Sequence, residues 1–187
     1  WEPETTPLAP EVTVGIMGMG VLGRACAGAL RGMGYNVIGW SRTPKEFDEV
    51  QNFDGLEGLE KFLPRTQVLI CLLPLTAETE GILGRGTFNR LPAGAAVINV
   101  GRGGHLVEEE LLGALDKGKV EVAVLDVFNE EPLPVDHPLW DHPRVFLTPH
   151  IASVTTPEAA LISVAEAVNE LRKGLPLTNL VDTKLGY

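Results

Sequence analysis

Apolar residues in this chain fall in short blocks, separated by stretches in which they recur at helical spacing. Val12 to Met17 is a β-branched run, and Arg24 to Met33 behind it carries small and apolar residues with a helical period. Asn36 to Trp40 reads as a second strand, Val68 to Leu73 as a third closed by Pro74, and Ala95 to Val100 as a fourth. Val120 to Val127 and the short Val145 to Thr148 complete the strands. Helices are expected near Leu56 to Phe62, at Gly84 to Leu91 before the Pro92-Ala93-Gly94 break, and at Val107 to Lys117. Pro157 to Lys173 predicts a last helix with an apolar stripe, and Ser41 to Gln51 is polar and turn-like. Strands alternating with helices imply parallel βαβ units. Right-handed crossovers wind such units into a doubly wound parallel α/β sheet of the Rossmann type, with ligands at the carboxyl ends of the strands.

Gly18-Met19-Gly20-Val21-Leu22-Gly23 lies between the first strand and its helix. A G-x-G-x-x-G run is informative in that setting, where it marks a dinucleotide site. Gly18 permits a tight turn, Gly20 lets the backbone approach a pyrophosphate, and Gly23 lets the helix lie against the strand. The helix N-terminus adds free N–H groups and partial positive charge. The plain alternative is an ordinary glycine-rich turn.

Composition narrows the partners. At 187 residues, 44% of them hydrophobic, the chain can bury one full core. A formal charge of −10 argues against nucleic acid, whose phosphates need clustered Lys and Arg. Every apolar run is interrupted well short of the roughly 18 residues a membrane span requires, so no membrane partner is expected. Cys26 and Cys71 sit in helix and strand patterns as small core residues, which fits a reducing, cytoplasmic setting. Neither has a His and an acid at recognisable spacing, and no metal-ligand spacing appears. Trp1 to Pro10, acidic and with three prolines, reads as a linker from an upstream domain, followed by a dinucleotide-binding domain over 11–173.

Three ionisable residues fall where strands end. Arg102 follows the fourth strand in Asn99-Val100-Gly101-Arg102-Gly103-Gly104, Glu131 follows the fifth in Asp126-Val127-Phe128-Asn129-Glu130-Glu131-Pro132, and His150 follows the sixth in Thr148-Pro149-His150. Each has a plain reading: a solvated loop cation, a surface acid, a cap residue. Sharing one edge of one sheet favours a common site. His105, just past Arg102, is within reach of substrate or cofactor but reads first as a surface histidine at a helix start, His137 and His142 as loop structure, and Glu108-Glu109-Glu110 as a solvent-facing first helical turn.

The set Gly18-x-Gly20-x-x-Gly23, Leu73-Pro74-Leu75-Thr76, Asn99-x-x-Arg102-Gly103, Leu125-Asp126-Val127-Phe128-x-x-Glu131-Pro132-Leu133 and Thr148-Pro149-His150 resembles the D-isomer-specific 2-hydroxyacid dehydrogenases. Trp40-Ser41-Arg42-Thr43, Pro138-Leu139-Trp140 and the closing Gly186-Tyr187 resemble the members that reduce glyoxylate and hydroxypyruvate. The likeness runs from about Val12 to Tyr187. It implies an oxidoreductase carrying hydride from a nicotinamide cofactor to a small 2-oxo acid. Arg102 would grip the substrate carboxylate, His150 would protonate the carbonyl oxygen, and Glu131 would hold the imidazole and favour its charged form. It also implies cofactor contacts from Val21 and Leu22 in the glycine turn, and from Leu73, Pro74 and Thr79 after the third strand. Val100, Gly101 and Arg102 would add to these, with Asp126, His150, Ala152 and Ser153 at the nicotinamide end. Residues 174–187 would return toward the upstream domain, and a homodimer through the cofactor domain is expected. The transcriptional corepressors that sense dinucleotides on this fold offer a second reading, a binding protein rather than an enzyme.

The cofactor type follows from the second strand's end. NAD-preferring sites place Asp or Glu about twenty residues beyond the glycines to hold the ribose hydroxyls. Ser41 stands there, with Arg42 and Lys45 close behind. No acid repels a 2′-phosphate and two cations can hold it, so NADP(H) is expected over NAD(H), which remains possible.

Overall fold

The computed structural model describes residues 7–45, 47, 50–177 and 180. The strands are β1 (Thr13–Met17), β2 (Asn36–Ser41), β3 (Gln51–Asp54), β4 (Val68–Cys71), β5 (Ala95–Asn99), β6 (Val120–Leu125) and β7 (Val145–Leu147). The helices are α1 (Val21–Gly32), α2 (Gly55–Phe62), α3 (Arg85–Arg90), α4 (Glu108–Asp116) and α5 (Pro157–Arg172). The strands form one sheet in the order β3-β2-β1-β4-β5-β6-β7, and every neighbouring pair is parallel. The chain winds outward from β1 in one direction to β3, then restarts at β4 and runs the other way. The switch lies between β1 and β4, and their carboxyl ends diverge into a crevice, the place where open sheets of this kind bind ligands.

Both faces of the sheet are covered, which is why its strands read as near-continuous apolar runs. Val14 and Ile16 of β1 pack with Val37, Ile70 and Ala27 of α1 in one layer. Trp40, Leu69, Cys71, Val97 and Leu125 face the other layer, against Phe62, Phe88, Leu111 and Leu115. Crowding sets the glycine at position 15: a Cβ there would stand 2.4 Å from the Thr66 hydroxyl.

The chain departs from the sequence expectation in four places. β3 begins at Gln51, the last residue of the segment expected to be turn-like; its Gln-Asn-Phe-Asp sequence pairs only with β2 at the sheet edge, so it carries no apolar signature. α1 starts at Val21 rather than Arg24, because Val21 and Leu22 are exposed first-turn residues outside the buried stripe. The glutamate run does begin α4, but only Glu109 faces solvent freely; Glu110 accepts from the Arg85 N–H at 2.6 Å, and Glu108 lies 3.4 Å from His137. α5 forms with Thr156 as N-cap, its hydroxyl accepting from the Ala159 N–H, yet the helix has no buried residue. Leu161, Ile162, Val164 and Leu171 are all more than half exposed.

Cys26 and Cys71 are free thiols, and burial pushes that of Cys71 up to about 12, far from a reactive thiolate. Among the described residues no helix is long and apolar enough to cross a membrane, and no group of three or more His, Cys, Asp or Glu side chains is arranged to hold a metal. The expected linker and C-terminal segment lie mostly outside the described residues; within them, Ala9–Glu11 is a 3₁₀ turn.

Candidate active site

A hollow of about 480 Å³ opens at the β1–β4 switch, walled by the glycine turn, by Leu72 to Leu75 after β4, and by Val100, Gly101 and Arg102 after β5. A second hollow of about 180 Å³ continues past Gly18, Gly20 and Pro74 to Ser41 at the end of β2 and to Arg42, Thr43 and Lys45 beyond it. A third, of about 530 Å³, lies beyond β6 and β7 between Glu131, Leu133, Trp140 and His150.

The glycine turn owes its shape to contacts with the neighbouring loop and with itself. Gly18 has φ +105°, and a Cβ on it would fall 2.6 Å from the Leu72 carbonyl oxygen. A Cβ on Gly23 would fall 1.9 Å from the Gly18 carbonyl oxygen, so only glycine lets α1 start this close to β1. Gly20 differs. Nothing lies within 4 Å of where its Cβ would be, and it borders both of the first two hollows. No protein neighbour among the described residues requires glycine there, and the backbone is left open to a ligand. Gly20 is also the N-cap of α1 and supplies no side-chain cap, leaving first-turn N–H groups open to an anion.

The wall after β4 is fastened by Thr79. Its hydroxyl donates to the Pro74 carbonyl at 2.7 Å and accepts from the Thr76 N–H at 2.9 Å, with the residue 5% exposed. Ser41 is similarly occupied: it is buried, its hydroxyl donates to the Thr43 carbonyl and accepts from Asn52 Nδ2 of β3. The cations at this corner are therefore Arg42 and Lys45, and Arg42 ion-pairs with Glu78 of the facing loop.

Two buried side chains hold the Arg102 turn. Asn99 Oδ1 accepts from the Gly101 N–H at 3.2 Å, while its Nδ2 donates to the Arg102 carbonyl at 3.1 Å. His105 Nδ1 lies 3.0 Å from the Arg102 N–H. The turn rests directly on the loop after β6, for a Cβ on Gly103 would overlap the Phe128 carbonyl at 1.9 Å. Phe128 N–H donates in turn to Glu131 Oε1 at 3.0 Å, and Glu131 Oε2 meets His150 Nδ1 at 2.8 Å. The hydrogen bond from His150, then that from Phe128, holds the Glu131 carboxyl below the usual carboxylate range.

His150 has φ +53°, a left-handed conformation that a non-glycine residue keeps only when its surroundings impose it. Asp126 imposes it. Its backbone carbonyl accepts from the His150 N–H at 2.9 Å. Its carboxylate, 2% exposed, accepts from the Thr148 hydroxyl at 2.5 Å, the Ile151 N–H at 2.9 Å and the Ala152 N–H at 3.0 Å. Burial alone would raise the Asp126 carboxyl; these three donors, with the nearby His150, outweigh it and hold the group below its ordinary range.

The structure thus brings Glu131 and His150 into contact and sets Arg102 on an adjoining turn. The glycines, Val21, Leu22, Leu73, Pro74, Val100 and Gly101 line the first hollow. Ala152 and Ser153 are exposed and line none of the three, and Ala152 contributes its N–H to Asp126.

The sequence pattern of the D-isomer specific 2-hydroxyacid dehydrogenase NAD-binding domain matches residues 2–152. The chain belongs to the D-isomer specific 2-hydroxyacid dehydrogenases. Within that family it is 48% identical over all 187 residues to the glyoxylate/hydroxypyruvate reductase A of Klebsiella pneumoniae strain 342, of which it spans 60%. Among solved 2-hydroxyacid dehydrogenases, the one from Xanthobacter autotrophicus Py2 in complex with NADPH and MES superposes with a TM-score of 0.94 at 42% identity, covering all of this chain and 77% of that one. The NADPH-dependent glyoxylate/hydroxypyruvate reductase of Sinorhizobium meliloti, in complex with NADP and sulfate, gives 0.91 at 43% identity, with 60% of that chain covered.

Within this dehydrogenase domain, sequence reasoning misplaced His105, which is fully buried rather than on a helix-start surface. Burial, opposed by the carbonyls of Pro74 and Arg102, holds its imidazole below the ordinary histidine range. Asn52 was also missed, because the strand that carries it has no apolar pattern. Met19, Thr43 and Thr76 join the lining of the second hollow, and only their adjacency to the motif residues signals it.

Proposed function

We propose that this chain is the cofactor-binding part of an NADPH-dependent reductase of small 2-oxo acids such as glyoxylate and hydroxypyruvate. The observation that carries the reading is the 2.8 Å contact between Glu131 and His150, one loop away from Arg102. When bound, the nicotinamide supplies the hydride. The open backbone at Gly20 and the uncapped start of α1 would take the pyrophosphate, and Arg42 and Lys45 the 2′-phosphate. Arg102 binds the substrate carboxylate through a planar fork of N–H donors. His150, with Glu131 on Nδ1, presents Nε2 to the substrate carbonyl and gives up its proton as charge develops on oxygen. Asp126 holds the loop that aims His150.

The chain spans 60% of the curated relatives it matches, and we propose that the remaining part of their length forms a substrate domain over the crevice. The apolar stripe of α5 supports this, since a helix without buried residues needs another surface to pack on. Homodimerisation is proposed from family resemblance, and a cytoplasmic setting from the free thiols of Cys26 and Cys71.

The deciding experiment follows NADPH absorbance in protein that includes the upstream region, with glyoxylate or hydroxypyruvate added. Turnover dependent on both supports the reductase. Tight NADPH binding without turnover on any 2-oxo acid overturns it in favour of a dinucleotide-sensing binding protein.

A further inference from the structure

Arg102 has a carrier as well as neighbours. His105 sits beneath its turn with no solvent exposure, and the turn is built around the imidazole: a Cβ on Gly101 would stand 2.9 Å from His105 Nδ1 and 3.0 Å from Cε1. His105 Nδ1 lies 3.0 Å from the Arg102 nitrogen and 3.1 Å from the Arg102 carbonyl oxygen, so it either accepts from the N–H or donates to the carbonyl. Other groups settle which. The Arg102 carbonyl already accepts from Asn99 Nδ2 at 3.1 Å and from the His105 backbone N–H at 3.2 Å. A third donor there would leave the Arg102 N–H facing a protonated nitrogen. The tautomer that satisfies both groups has its proton on Nε2 and a lone pair on Nδ1. Nε2 is buried without a completed hydrogen bond, and the Pro74 carbonyl of the cofactor wall acts on the same ring.

We propose that His105 is a positioning residue for Arg102: a neutral imidazole, protonated on Nε2, whose Nδ1 accepts the Arg102 N–H and fixes the peptide from which the guanidinium reaches the substrate. The proposal deepens the reading of Arg102 as the carboxylate grip and rests on it. The Arg102 side chain is exposed, and its one described anchor is a hydrogen bond of 2.7 Å to the Gly101 carbonyl, so the backbone sets its aim. A misplacement of about 1 Å at a reacting group can cost on the order of a hundredfold in rate. Asn99 and His105 grip the two peptide groups that flank the Arg102 Cα, one at the Arg102 carbonyl and the other at its N–H.

Two measurements test this. In the present chain at pH 7, long-range ¹H–¹⁵N correlation of the imidazole should show an unprotonated Nδ1 and a protonated Nε2 for His105; a protonated Nδ1 overturns the proposal outright. In the reductase with its upstream region, His105→Leu should lower kcat/KM for glyoxylate by tenfold or more and leave the NADPH dissociation constant within about twofold. His105→Asn, whose side-chain oxygen is again an acceptor, should recover to within about threefold of the unmodified enzyme. Loss of NADPH binding in parallel with activity, or equal defects in Leu and Asn variants, would mean a packing role and refute positioning. Arg102→Ala separates the premises. If it leaves kcat/KM unchanged, the assignment of Arg102 itself fails; if it is severe while His105→Leu is harmless, only the His105 proposal falls.

Discussion

At the His150 end of the groove the working side chains are half-exposed but stand on buried polar support, whereas at the Arg42 end the charges stand on one another. Asp126 (2% exposed) fixes the His150 loop through its carboxylate and its carbonyl, and Asn99 and His105 fix the Arg102 turn from inside the protein. Arg42 instead pairs with Glu78, which is 65% exposed, across a surface hollow. Buried hydrogen-bond networks specify a geometry, while exposed ion pairs contribute little and exchange readily with solvent or ligand. The chemical step needs a fixed geometry, and the 2′-phosphate needs a local excess of positive charge. Each end has the construction suited to the task proposed for it.

The largest effect that can break this contrast belongs to His150. His150→Ala should lower kcat on glyoxylate by about 10² to 10⁴-fold, the range removed with a general acid, and leave NADPH affinity within about twofold. Steady-state kinetics beside a fluorescence titration checks it; a turnover loss under threefold would take His150 out of the mechanism.

Asp126→Asn comes next. It keeps the size and removes the ionised acceptor, freeing a loop whose His150 has a left-handed backbone, so turnover should fall about tenfold and stability by roughly 1–3 kcal/mol. The pH dependence has a definite sign. Asp126 and Glu131 are both held below their usual range, so the unfolded chain takes up protons first as pH falls. Their contribution is complete above the ordinary carboxylate range and is lost as pH drops through the folded values. Thermal unfolding between about pH 5 and pH 2 should therefore show a shallower acid loss in Asp126→Asn than in the unmodified protein.

Smaller changes sharpen the other end. Ser41→Asp places a carboxylate where Asn52 Nδ2 can hold it, and should move cofactor preference toward NADH by about tenfold through repulsion of the 2′-phosphate. Tighter NADH than NADPH binding in the unmodified chain would remove the basis for that assignment. Glu78→Gln removes one negative charge from beside Arg42, so NADPH should bind about twofold to threefold more tightly at low salt, with NADH unchanged. Added salt should erase the gain. An equal gain for NADH would show that Glu78 acts on the common part of the cofactor.

The order of strands and helices, the dinucleotide turn and the strand-end positions of Arg102, Glu131 and His150 were legible in the chain because each has a local signature. A strand buried on both faces must be apolar throughout, a tight turn against a neighbouring strand must be glycine, and loops after parallel strands share one edge. β3 escaped because an edge strand needs no apolar run, and His105 because its burial depends on a turn that closes over it from residues around Gly101. The Asp126 clamp joins positions more than twenty residues apart, Ser41 meets Asn52 through strand pairing, and the apolar stripe of α5 formed without finding a surface among the described residues. Sequence alone therefore determined the fold and which residue types reach the carboxyl edge of the sheet, since those follow from periodicity and backbone sterics. Tertiary structure alone decided which polar groups are buried, which hydrogen bonds they complete and how His150 and Arg102 are aimed, because those depend on distances between segments that local pattern does not encode.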